Sequence, residues 1–211
     1  KKNVYLTSLF FALAVLSKLT VLLFLPFFLF KNWKQQIEWI VYSLALCVVL
    51  SMPLLMNQDL NGVLASFLLY ANNFEFNGLL YTVFRDVGTY FMGYNPIAYV
   101  GPLLVSITLI GVLTYFWKKR NTENIPLVLG VGYLIYLFGA TTVHSWYFII
   151  PIILFSLTQK KYLLLILFPI TFSYFYYDLG DSWHWKVILF IEYLAIALIT
   201  YITFMNKKTT N

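Results

Sequence analysis

The sequence predicts an all-α fold: a polytopic transmembrane helix bundle of about six or seven spans, with room for a re-entrant hairpin near its N-terminus. Three observations lead there. Of the residues, 61% are apolar and 20% aromatic while only 10% are charged, and the mean hydropathy of +0.79 lies outside the range of water-soluble domains. The apolar residues come in long blocks between short charged clusters, and such blocks can cross about 30 Å of hydrocarbon at about 1.5 Å per helical residue. Finally, the blocks are apolar on every side, whereas a membrane barrel would alternate polar and apolar residues.

In chain order the blocks are residues 3–30, 35–56, 96–117, 125–140, 147–158, 162–177 and 186–205, with one long connection over 57–95. Charge sets their orientation. Placing the linkers 31–34, 118–124, 159–161 and the C-terminal 206–208 in the cytoplasm gathers Lys1, Lys2, Lys31, Lys34, Lys118, Lys119, Arg120, Lys160, Lys161, Lys207 and Lys208 on one side. That is the bias of an inner-membrane protein with positive loops inside. Asp59, Glu75, Asp86, Asp178, Asp181 and both histidines then fall outside.

Residues 3–30 strain this arrangement, since two full crossings need about 40 residues. Either the N-terminal lysines are outside, or the segment is a re-entrant hairpin that turns near Lys18; the hairpin is the preferred reading. Broken helices of that kind survive in a membrane where protein or a wet cavity satisfies the freed backbone groups. The connection 57–95 is too long for a turn and is expected to carry its own structure. Within it Leu80, Val83, Phe84 and Val87 recur at helical spacing with Arg85 and Asp86 on another side, the pattern of an interfacial helix or of a loop helix packed over the bundle.

Several function classes are excluded at this stage. The single cysteine, Cys47, permits neither an intramolecular disulfide nor a cysteine zinc site. Net charge is +6, but the cations punctuate the spans instead of forming one face, so nucleic acid is not an expected partner. There is no phosphate-binding glycine loop, nucleophile elbow or zinc-protease helix. No cleavable signal peptide is visible, and a chain opening on Lys1 and Lys2 is expected to be the C-terminal part of a longer protein.

The polar residues inside or beside the blocks are the candidates for chemistry. Lys18 stands alone among apolar neighbours, where an ammonium costs about 3 kcal/mol, so a functional contact with an anion is weighed against snorkelling from a hairpin tip. His144, Trp146 and Tyr147 sit at the outer end of two short spans; the two aromatics suit a headgroup belt, and the imidazole suits a hydrogen bond to a phosphate oxygen. Arg85 suits bidentate phosphate recognition or anchoring of a surface helix. Asp178, Asp181 and His184, three apart, could hold a divalent metal or a sugar's hydroxyls if helical, though Gly180 argues for an irregular turn.

Three stretches, taken together, resemble the C-terminal half of a polytopic glycosyltransferase of the GT-C superfamily, of the polyprenol-phosphate-sugar-dependent, bacterial mannosyltransferase-like type. They are ALAVLSKLTVLLFLP (12–26), NNFEFNGLLY (72–81) and VHSWYFIIPIILF (143–155), in which Ser145 stands where the family pattern has proline. The resemblance implies transfer of a sugar, mannose in the type resembled, from a polyprenyl-phosphate carrier to an acceptor on the external face. It implies that Lys18, Arg85 and His144 serve the departing phosphate and that Asn77, Tyr81, Trp146 and Tyr147 contact substrate. It also implies that the base comes from a first external loop upstream of this chain, supplied by the missing N-terminal part or a partner polypeptide. No resident cofactor is expected.

Two other classes compete. A lipid-linked sugar or polysaccharide transporter would use Lys18 as an intramembrane substrate contact, but such folds show repeated halves or several intramembrane charges, and here Lys18 and Glu192 are the charges well inside blocks. A structural membrane subunit would tolerate replacement of Lys18, Arg85 and His144. The abundance of Lys, Asn, Ile and Phe points to a bacterial source and hence to the bacterial inner membrane.

Overall fold

A backbone in hydrocarbon has to satisfy its own N–H and C=O groups, and this chain does so with helices. The computed structural model describes residues 3–56, 61–66 and 74–205. The expected features at Lys1, Lys2, Asp59, residues 72–73 and the C-terminal lysines lie outside the described residues. Four stretches, 19–53, 97–119, 161–179 and 183–205, are long and apolar enough to cross a membrane, and shorter apolar helices run over 4–17, 125–139 and 145–156. Large side chains such as Val105, Leu109 and Ile110, or Phe190, Leu194 and Leu198, are exposed along these helices. Water would not tolerate that much apolar surface, and lipid does. The chain is a multi-pass integral membrane protein.

The described residues gather into two compact units, one from the span 1–71 with 113–121, the other from 72–112 with 122–211. In the first, α1 (Val4–Ser17) begins at Asn3, whose Oδ1 accepts from the Leu6 N–H at 3.2 Å. It stops at Lys18, where the backbone is extended (φ −156°, ψ 108°) and passes into a 3-10 turn over Leu19–Phe24. The next helix, α2 (Leu25–Met56), is broken at Asn32 (φ −166°, ψ 86°). Ser8 Oγ donates to the Trp39 carbonyl at 3.0 Å and Cys47 Sγ to the Ala12 carbonyl at 3.7 Å. Tyr5 also packs against Tyr42, with ring centroids 5.5 Å apart, so α1 lies against α2 beyond Asn32. Phe11 of α1 and Phe28 of α2 both pack edge-on against Trp39.

In the second unit follow α3 (Leu79–Met92), α4 (Ile97–Lys119, whose last residues from Leu113 belong to the first unit) and α5 (Ile125–Gly139). A 3-10 turn over Ser145–Phe148 leads into α6 (Ile149–Ser156), two 3-10 stretches cover Lys161–Leu167 and Pro169–Phe175, and the chain ends with α7 (Tyr176–Leu179) and α8 (Trp183–Met205). The 3-10 geometry resolves a length problem. At about 2.0 Å per residue these two stretches cover about 30 Å, a bilayer core that the same residues would underfill as α-helix.

Asn124 caps α5, its Oδ1 accepting from the Leu127 N–H at 3.2 Å, with Pro126 in the first turn. At the far end of α5, Gly139 lets α4 come close: a Cβ there would lie 1.7 Å from Thr108 Oγ1. Trp185, Leu189 and Tyr193 of α8 form a core with Leu79, Phe138, Tyr176, Leu179 and Ile188 around them. Lys160 Nζ donates to the Thr203 carbonyl at 3.2 Å, which puts the 159–161 linker and the end of α8 together.

Candidate functional site

At the opposite end of the second unit, the start of α8, two loops far apart in sequence pair. The Phe76 N–H donates to the Thr141 carbonyl at 3.1 Å and the Val143 N–H to the Phe76 carbonyl at 2.7 Å, while Thr142 Oγ1 donates to the Phe74 carbonyl at 2.8 Å. The approach demands a glycine at 78, where a Cβ would lie 2.5 Å from the Ala140 carbonyl oxygen. It also demands a left-handed residue at 77, and asparagine is among the few non-glycine types that accept one (φ +55°).

This pairing builds an aromatic stack. Phe76 lies on the His144 imidazole (ring centroids 4.6 Å, 23°), and His144 lies nearly flat on Trp146 (4.3 Å, 6°). Tyr147 meets the imidazole edge-on at 5.5 Å, and Tyr176 closes on Phe76 at 5.1 Å. The Ser145 and Ser173 hydroxyls are hydrogen-bonded, tying the stack to the 3-10 stretch behind it. Trp146 is 49% exposed, so one indole face remains open as a platform.

Beside the stack lies an ion-pair network. Arg85 Nη1 donates to Glu75 Oε1 at 3.1 Å, and Nη2 donates to Asp86 Oδ1 at 3.0 Å and to Asp181 Oδ1 at 2.8 Å. Lys186 Nζ donates to Asp86 Oδ2 at 2.6 Å. Glu75 also accepts from the Tyr81 hydroxyl and, at 3.1 Å, from Asn95 Nδ2. Burial, the hydrogen bond to Glu75 and the Glu75 charge all push the Tyr81 phenol above its usual range. Burial alone would lower Arg85, but its hydrogen bonds to Asp181 and Asp86 and the charges of Glu75 and Asp181 hold it above its ordinary value. Burial would raise Asp86, yet hydrogen bonds from Lys186 and Arg85, with their charges, keep its carboxyl below the usual carboxylate range.

Of the residues expected to contact substrate, His144, Trp146 and Tyr147 stand together in the stack. Tyr81 is 1% exposed and Asn77 4%. Asn77 turns inward, its Nδ2 donating to Glu192 Oε1 at 3.1 Å, and its carbonyl accepts from the Tyr193 hydroxyl at 2.7 Å. Arg85, expected on phosphate, is engaged by three carboxylates. Lys18 belongs to the first unit, at the end of α1, and is partly buried there. Asp178, Asp181 and His184 do not share a helix: α7 ends at Gly180 (φ +57°), and Asp181 turns to Arg85. Among the described residues no three His, Cys, Asp or Glu side chains are grouped to hold a metal ion.

Sequence reasoning passed over Glu75, Asn95 and Lys186 as partners of Arg85 and its neighbours. Each is an ordinary surface-type residue whose meaning comes from residues up to 100 positions away. Two cavities lie in this unit, the larger reaching along α8 and the smaller at its start. An apolar one of about 530 Å3 is lined by Thr108, Gly111, Leu134, Phe138, Ala197 and Tyr201 among others. A smaller one of about 350 Å3 lies against Val83, Asp86, Trp183, Lys186 and Phe190.

Comparison with known protein families, with curated proteins and with solved structures returned no match.

Proposed function

We propose that this protein is the membrane part of a glycosyltransferase that takes a sugar from a polyprenyl-phosphate carrier, mannose being the first candidate, and hands it to an acceptor on the external face. One observation carries the reading. The two outer stretches on which the family resemblance rests, around residues 76–81 and 143–147, are hydrogen-bonded to each other and form a single aromatic stack with an open indole face. A flat, half-exposed ring with carboxylates beside it suits a pyranose, whose C–H faces stack and whose hydroxyls donate. His144, whose unperturbed pKa is about 6.5, suits the leaving phosphate. The 530 Å3 apolar cavity gives an isoprenoid tail a place among α4, α5 and α8.

In this reading the positive linkers are cytoplasmic, the chain crosses about six or seven times, residues 3–30 re-enter at Lys18, and α3 lies on the outer surface with Leu80, Val83 and Val87 exposed to lipid. Lys18 is assigned to a lipid phosphate as a separate contact of the first unit. Arg85 is a positioning residue, since its donors are occupied by Glu75, Asp86 and Asp181. None of these carboxylates is assigned as the base.

The test is release of radiolabelled sugar from polyprenyl-phosphate hexoses by membranes carrying the full-length protein, comparing wild type with Trp146→Ala and Lys18→Ala. Turnover that falls at least about tenfold in both variants supports the reading, a loss of about 1.4 kcal/mol of transition-state stabilisation or more. Wild-type membranes that neither release sugar nor retain the lipid phosphate would overturn it.

A further inference from the structure

Glu192 lies on α8, in a membrane-crossing stretch, and is 0% exposed. Its Oε1 accepts from Asn77 Nδ2 at 3.1 Å. Its Oε2 has no hydrogen-bond partner, and neither does Oδ1 of the same asparagine. An ionised carboxylate sealed from water with one neutral donor is among the most expensive arrangements a protein can hold. No cation among the described residues relieves it. Among the described residues Glu192 forms no ion pair, while Arg85 on α3 and Lys186 at the start of α8 are taken up by Glu75, Asp86 and Asp181. Tyr193, the titratable neighbour on α8, gives its hydroxyl proton to the Asn77 carbonyl, and Tyr81 on α3 gives its own to Glu75.

A carboxylic acid and a primary amide are complementary in a way that a carboxylate and an amide are not. The amide N–H donates to one carboxyl oxygen, and the acid O–H donates back to the amide oxygen, closing a ring of two hydrogen bonds. The two orphaned atoms here are the pair that such a ring consumes. One proton on Glu192 Oε2 satisfies both at once, while without it two buried acceptors remain uncompensated.

We infer that Glu192 is held as a neutral carboxylic acid in a two-point hydrogen-bonded ring with Asn77, and that this buried acid–amide pair is the latch that fixes the 74–78 loop to α8. The latch acts on the site through position alone. It holds Asn77 in its left-handed conformation, and that conformation presents Phe76, one residue earlier, to His144. Glu192 is thus a positioning residue, and the inference stands whether or not the protein transfers sugar.

The experiment uses the full-length protein in lipid nanodiscs at neutral pH. Infrared difference spectra of wild type minus Glu192→Gln report the carbonyl stretch of a protonated carboxyl group if the latch is neutral, and symmetric and antisymmetric carboxylate bands if it is not. Thermal melting supplies the second readout. Glutamine keeps both hydrogen bonds, its own N–H replacing the acid O–H, and is expected to melt within about 2 °C of wild type, whereas Glu192→Leu strands the asparagine and melts several degrees lower. Carboxylate bands in the difference spectrum overturn the inference, and so does a glutamine variant that melts as low as the leucine variant. If the leucine variant does not accumulate, the infrared difference decides alone.

Discussion

Replacing Arg85, whose side chain is 13% exposed, by methionine keeps most of the stem's packing and removes the guanidinium. Three carboxylates lose their shared donor: Glu75 at 3.1 Å, Asp86 at 3.0 Å and Asp181 at 2.8 Å. A hydrogen bond to a charged group contributes about 1.5–3 kcal/mol where both partners are buried. Here the carboxylates retain exposures of 29%, 39% and 47%, so water screens each contact and about 1 kcal/mol apiece is the better figure. Repulsion among the three acids, left with Lys186 as their remaining cation, offsets the relief of freeing Arg85 from burial. The expected loss is about 2–3 kcal/mol, which lowers the melting temperature by about 5–10 °C for a chain of this size. The assay is thermal denaturation in detergent at pH 7, with Arg85→Lys alongside. Lysine restores the charge without the fork and is expected to fall between wild type and methionine. A methionine variant that melts within about 1 °C of wild type would refute the view that this network fastens the 74–78 loop, α3 and the start of α8 to one another.

Three further outcomes follow from the same structure. Because Asp86 is held below the usual carboxylate range by Lys186 and Arg85, its contribution to stability is complete above the ordinary carboxylate value. That contribution fades as pH falls through the lowered value, so Asp86→Asn should flatten the acid limb of a melting-temperature profile and leave the profile's shape above pH 6 unaltered. Gly139→Ala places a methyl group 1.7 Å from Thr108 Oγ1 and should cost about 1–3 kcal/mol; Thr108→Ala in the same chain should recover part of it, a coupling measurable by a double-mutant cycle in melting temperature. Trp146→Ala removes the exposed ring of the stack, and because about half of that residue is exposed it should change melting by under about 2 °C, while on the proposed function it should abolish the change in total tryptophan fluorescence on adding polyprenyl-phosphate sugar.

The bilayer makes some features of this chain easy to read and others nearly illegible. Long apolar runs are easy to see, so the blocks read at 96–117 and 186–205 fall within a few residues of the helices 97–119 and 183–205. A break near Lys18 is expected from a length argument, because residues 3–30 cannot cross twice at full thickness, and α1 does end there. Facing is harder. In water the buried side of a helix is its apolar side, but in lipid both sides are apolar, and α4 carries almost no periodicity to separate Leu104, buried, from Val105, exposed. The 3-10 course of 161–175 leaves no mark either, since Leu, Ile and Phe serve an α-helix equally well.

The site depends on contacts that no local pattern encodes. His144, Trp146 and Tyr147 are recognisable as a polar break between apolar runs, yet the ring that organises them is Phe76, 68 residues earlier. Asn77 illustrates the limit most clearly. Its place before Gly78 marks a tight turn, and an Asn-Gly pair in an outer loop reads naturally as a substrate contact. The fold instead spends that asparagine 115 residues away, on the one carboxylate inside α8. Glu192 was visible as a charge where charge is expensive, and by itself it indicates a cavity, a pump or a substrate contact. Only when the orphaned oxygens of both side chains are counted together does a cheaper solution emerge: an acid kept neutral by its partner, joining a membrane span to the loop that carries the aromatic stack.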